Sequence, residues 1–69
     1  MESLINYFNS EECNKKKEEK CVEFLNRCTK LEFFKLLDFL GKYQYINPTL
    51  VYNNNITNIL SEKLNYYED

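Results

Sequence analysis

Three groups of residues in this chain could do chemistry by type and spacing. They are the cysteines Cys13, Cys21 and Cys28, the lysines Lys15, Lys16, Lys17 and Lys20 interleaved with them, and the tyrosines Tyr43, Tyr45, Tyr52, Tyr66 and Tyr67. The first two groups share one stretch, EECNKKKEEKCVEFLNRC, from Glu11 to Cys28. On a helix at 100° per residue the three cysteines fall within about 80° of one another and form one stripe. A rise of 1.5 Å per residue spaces them roughly 12 and 10 Å apart, well beyond the ~5.5 Å between α-carbons that a disulfide needs. With no His in the chain and no C-x-x-C, nothing converges on a zinc or iron–sulfur centre. No metal and no cofactor is therefore expected, and the stripe reads as free thiols packed against a covering surface, since unpaired Cys is often buried. The seven-residue step from Cys21 to Cys28 also resembles a heptad seam, so a homodimer meeting along this stripe is a second expectation.

The lysine run has the look of a phosphate-binding patch, yet carboxylates answer it. Glu11 stands four residues before Lys15, Glu12 four before Lys16, and Glu19 four after Lys15. Pairs at that spacing stabilise an exposed helix by ~0.2 to 0.5 kcal/mol each. The neighbouring carboxylates also cancel much of the field that nucleic acid would feel. The net charge of −2 gives the molecule no positive field to draw it to nucleic acid or anionic lipid.

Tyrosine is favoured at interfaces, where its ring packs and its hydroxyl stays wet. A protein-binding surface built from the Tyr43 to Tyr52 connection, together with Tyr66 or Tyr67, is the functional expectation, with Cys13 and Cys21 as further partner-facing residues. Base stacking by the same rings is weakened because Lys63 is the one basic residue from Tyr43 to Asp69.

Enzyme chemistry has little to stand on. The chain has no His, no glycine-rich phosphate loop and no serine elbow, and Glu32 and Asp38 lie six apart on one helix, facing different sides. A cysteine nucleophile would need another base or a helix N-terminus to lower its pKa. No catalytic residue is expected.

The elements that must position these groups come next. Ser10 reads as the N-cap of a helix with Glu11 and Glu12 in its first turn, running to about Arg27. Thr29, Lys30, Leu31, Glu32 matches a capping box, with Cys28 and Phe33 at the hydrophobic-staple positions, so a new helix begins there. That helix, KLEFFKLLDFL, is apolar almost all round apart from a polar stripe of Lys35, Asp38 and Lys42, and Gly41 reads as its stop. Asn47 before Pro48 is pushed out of the α region and caps a last helix carrying Tyr52, Ile56, Ile59, Leu60, Leu64 and Tyr67. The weak point is Asn53, Asn54, Asn55, since Asn is a poor helix former and a good cap. If the last helix begins only at Asn55, residues 43–52 could instead form a small hairpin. Ahead of all these, Glu2 to Phe8 could form one or two helical turns.

A chain of 69 residues is one domain, and folding at that length buries only about 60% of the unfolded surface, so a partner would add stability. The 43% apolar content is too rich for disorder, and one Gly and one Pro are too few for many β-turns. The absence of Ala beside ten Asn points, by codon logic, to an AT-rich genome such as that of a virus, a phage, a low-GC bacterium or an AT-rich parasite. MESLINYF lacks the basic start and long apolar core of a signal peptide, and no apolar run nears ~20 residues, so no membrane is expected and the cytoplasm or another reducing compartment is.

The expectation is an all-α bundle of three or four short helices spanning residues 1–69, with Phe24, Leu25, Leu31, Phe34, Leu37, Leu40, Ile56, Ile59, Leu60 and Leu64 as its core. Its expected role is non-catalytic binding of another protein, as a small subunit or adaptor of a complex or as a phage- or virus-encoded inhibitor of a host factor. The alternative is a dimeric nucleic-acid-binding regulator using Lys15, Lys16, Lys17 and Lys20.

Overall fold

Side-chain caps at Thr29, Asn47 and Asn53 set the starts of three of this chain's helices, as a computed structural model describing Met1 to Glu68 shows. The elements are α1 (Glu2–Phe8), α2 (Asn14–Arg27), α3 (Lys30–Tyr43), the single turn α4 (Pro48–Val51) and α5 (Asn54–Glu68). There is no strand among the described residues, so the fold is an all-α bundle and residues 43–52 form a turn and α4 rather than a hairpin.

The capping box forms as the residue types require. The Glu32 backbone N–H donates to Thr29 Oγ1 at 3.2 Å, and the Thr29 backbone N–H donates to Glu32 Oε1 at 3.0 Å. The Thr29 backbone N–H, and then its side chain, hold the Glu32 carboxyl below its ordinary value, so it stays ionised in the first turn of α3. Asn47 also caps, its Oδ1 accepting from Leu50 N–H at 3.3 Å with Pro48 in the first helical position, but the helix it opens is only the turn α4, which ends before Tyr52. The expected last helix is corrected to a separate α5 that starts at Asn54, because the Asn53 side chain caps there.

Ser10 does not cap α2. Its hydroxyl donates to the Tyr7 carbonyl and accepts from Glu12 N–H at 3.3 Å, closing the end of α1 instead. The chain therefore needs three more residues to turn, and α2 starts after Cys13, which leaves Glu11 and Glu12 ahead of the helix. Gly41 does not stop α3 either. The helix runs on to Tyr43, because the Tyr43 ring is pulled into the core, and Gln44 caps it with Nε2 donating to the Gly41 carbonyl at 2.8 Å.

The asparagine run does two jobs. Asn53 Oδ1 accepts from the N–H groups of Asn55 and Ile56 at 2.8 and 3.3 Å, capping α5, while its Nδ2 donates to Glu18 Oε1 on α2. Asn55 Nδ2 donates to the other Glu18 oxygen at 3.2 Å. One carboxylate on α2 thus holds the start of α5.

Helix α2 lies at the middle of the bundle, packed against α1, α4 and α5, and α3 closes over α4. The fully buried side chains are Phe8, Cys21, Leu25, Phe33, Leu36, Leu50 and Ile56, and each large apolar one contributes about 1.5 to 3 kcal/mol by leaving water. Of the expected core, Leu25, Leu40 and Ile56 are buried, and Phe24, Leu37, Ile59, Leu60 and Leu64 pack partly buried against it. Leu31 and Phe34 are corrected: they are 66% and 41% exposed, because α3 turns Phe33, Leu36, Leu40 and Tyr43 inward.

Replacing Asn53 with Ala should cost about 1 to 2 kcal/mol in chemical denaturation, the usual loss for a capping residue, whereas Asn54→Ala should stay within about 0.5 kcal/mol. Asn53→Asp keeps the cap acceptor but faces the Glu18 carboxylate, so it should also destabilise, and adding Glu18→Gln should recover part of that loss. Equal effects at positions 53 and 54 would rule out the double role.

Candidate functional site

The chain itself covers the cysteine stripe at Cys21 and in part at Cys28, but not at Cys13. Cys21 is fully buried on α2, Cys28 is the half-buried C-cap with its thiol donating to the Leu25 carbonyl at 3.7 Å, and Cys13 is the exposed N-cap. Burial, followed by the nearby Cys28 and Glu18, pushes the Cys21 thiol up to about 12, so it rests protonated. Among the described residues no group of three or more His, Cys, Asp and Glu is placed to hold a metal ion.

The lysine run wraps around α2, since neighbours step 100°. Lys16 pairs with Glu12 at 3.6 Å, but neither Glu11–Lys15 nor Lys15–Glu19 is among the ion pairs of the described residues, with Glu11 left outside the helix. Lys17 is buried to 7% exposure, its methylene stem covered. Lys20 places its ammonium 5.8 Å from the Tyr7 ring on α1. These lysines make no single basic face.

The tyrosines separate into three places. Tyr43 is buried, and its hydroxyl donates to the Phe8 carbonyl at 2.6 Å. Tyr45 and Tyr52 are strongly exposed beyond the end of α3, where Tyr52 donates to Gln44. Tyr67 packs on Phe33 and Phe34 at centroid distances of 5.3 and 6.2 Å, at the start of α3, with Tyr66 edge-on to it at 5.4 Å. A 14-residue helix separates the two exposed groups, a length of about 20 Å. Tyr45 and Tyr52 therefore do not join Tyr66 and Tyr67 in one surface. Tyr43 and Cys21 lie inside the fold and contribute no exposed side chain.

What the structure does assemble is an open groove of about 560 Å³ between α1 and α3. Met1 and Ile5 line one side, and Leu31, Phe34 and Phe39 the other, with Lys35, Asp38 and Lys42 along its border. Phe34 also touches Tyr67, so the groove continues into the aromatic cluster. A second groove, of about 620 Å³, runs between α2 and α5, with Val22 and Ile59 in its lining and the carboxylates of Glu18, Glu19 and Glu23 along it.

The first groove was missed at sequence level because α3 is apolar on most sides and its inward direction was misassigned. One signal pointed to it: Leu31 lies one helical turn before Lys35 and so sits on the polar stripe with Asp38 and Lys42. Fold and geometry together define the class as a small all-α domain with an apolar groove open to solvent. No known protein family, curated protein or solved structure matches the chain.

Alkylation with iodoacetamide should modify Cys13 first, Cys28 more slowly, and Cys21 only on unfolding, because a protonated, buried thiol is a poor nucleophile. Mass spectrometry of the folded protein should show at most two adducts and of the denatured protein three. Three adducts at equal rates in the folded protein would contradict the covered stripe.

Proposed function

We propose that this chain is a non-catalytic protein that binds another protein through the α1–α3 groove, as a small subunit or adaptor of a complex or as a phage- or virus-encoded inhibitor of a host factor. The observation that carries this reading is the exposure of Leu31 and Phe34, 66% and 41%, at the lip of a groove lined by Met1, Ile5 and Phe39. Contiguous apolar surface of this kind marks interaction sites, and Phe and Tyr are the side chains enriched at interface centres. Tyr66 and Tyr67 extend the surface beside Phe34. The rival reading, a dimeric nucleic-acid-binding regulator, draws less support because Lys17 is covered and Glu12, Glu18 and Glu19 stand among the lysines, cancelling much of their field. Among the described residues no helix is long and apolar enough to cross a membrane.

Leu31→Glu changes an exposed position and should leave the thermal midpoint within a few degrees of the parent, while Phe34→Glu, whose ring packs on Phe33 and Tyr67, should lower it further without unfolding the chain. Each should abolish recovery of the partner that the tagged parent protein retrieves from its native source, while Tyr45→Glu, at the far end of α3, should not. A partner retained by both groove variants would overturn the groove reading, and binding that weakens steeply with salt and is lost with Lys15→Glu instead would replace it with the nucleic-acid one.

A further inference from the structure

We propose that the occupant of the α1–α3 groove is an amphipathic helix carrying apolar residues on one face and carboxylates along its flank. This rests on the protein-binding function proposed above and specifies the chemistry of the partner.

Length comes first. Along α3 the groove extends from Leu31 to Lys42, a distance of about 16 Å or three helical turns. That is the reach of a helix presenting anchors at i, i+3 or i+4, and i+7, the pattern by which amphipathic helices bind apolar grooves. The bundle has no strand among its described residues, so an extended peptide finds no sheet edge on which to add itself.

Charge gives the partner its sign. Lys35 is exposed on the groove border and belongs to none of the ion pairs among the described residues. Lys42 pairs with Asp38 at 3.8 Å, but both side chains are about four-fifths exposed, so that pair opens at little cost when a carboxylate arrives. The α1–α3 groove is therefore bordered by two lysines and one aspartate in a chain of net charge −2. The α2–α5 groove is the reverse, with Glu18, Glu19 and Glu23 in its lining and no lysine. A helix flanked by carboxylates is repelled by the second groove and attracted to the first, which fixes where it docks as well as how well.

The test uses two stapled synthetic helices of about 14 residues with identical leucine anchors, one flanked by glutamates and the other by lysines, titrated into the isotope-labelled full chain by NMR. The acidic helix should shift the amides of Ile5, Leu31 and Phe34 saturably and bind about tenfold more tightly than the basic one at low salt. Lys35→Glu combined with Lys42→Glu, both exposed changes, should erase or invert that preference, and circular dichroism should report an unchanged fold. Shifts confined to α2 and α5, no saturable binding, or a charge preference untouched by the double variant would each overturn the proposal. If the native partner still depends on Leu31 and Phe34 while the acidic helix shows no advantage, this inference falls and the proposed function stands. If recovery of the partner is also independent of Leu31 and Phe34, both fall.

Discussion

The Tyr43 hydroxyl donates to the Phe8 carbonyl at 2.6 Å across 35 residues of sequence, and the surface of this small bundle depends on that contact. Phe8 ends α1, where the last carbonyls of a helix have no partner within it, so the phenol supplies what the helix cannot. Around the hydrogen bond the rings of Phe8, Phe39 and Tyr43 stack at centroid distances of 5.2 to 5.7 Å. A seven-residue helix such as α1 has little stability alone, since helices that short are marginal in water. The aromatic stack pins it to α3. The gap left between the two helices, ahead of the pinned end, is the groove lined by Met1, Ile5, Leu31 and Phe34.

A second set of polar contacts holds the other side. Glu18 receives the side-chain amides of Asn53 and Asn55, tying the start of α5 to α2, and Asn47 donates to Asn14 at 2.8 Å, tying the start of α4 to the start of α2. In a chain with a small core, such caps and ties act beside apolar burial in fixing how the short helices are arranged. They also explain why the α2–α5 groove is acidic: the carboxylate that anchors α5 lines it beside Glu19 and Glu23.

Local rules were legible in the sequence and long-range ones were not. The Thr29–Glu32 box forms as written because it needs only residues within one turn, and for the same reason Asn47–Pro48 does start a helix, though one that ends at Val51 instead of running on to Tyr67. Ser10 misled because a serine hydroxyl can serve either the helix before it or the helix after it, and here it serves Tyr7. The run Asn53 to Asn55 was legible as capping residues without saying which one caps, and the bond from Asn53 to Glu18 spans 35 residues, so no local pattern carries it. In α3 the apolar residues nearly encircle the helix, so periodicity alone left several inward directions open. The stripe of Lys35, Asp38 and Lys42 marked the outward one. Leu31 and Phe34 were assigned to the core on residue type, and their exposure is what makes them the candidate site. The tyrosines show the same limit. Type put Tyr43, Tyr45 and Tyr52 together, whereas the end of α3 buries the first and exposes the other two.

The Tyr43 hydroxyl and the ring stack therefore hold the end of α1 on α3, beside the packing of α1 on α2, and the groove lies ahead of that pinned end. Amide hydrogen exchange on the parent chain and on Tyr43→Phe tests that hold most directly. The substitution keeps the ring and removes one buried hydrogen bond, so the amides of Ile5 and Asn9, which close α1 by donating to the Met1 and Ile5 carbonyls, should exchange about tenfold faster, as expected for a loss of roughly 1.4 kcal/mol. The amides around Leu25 in α2 should accelerate less. Protection of α1 unchanged by the substitution, or lost equally in every helix, would contradict the account.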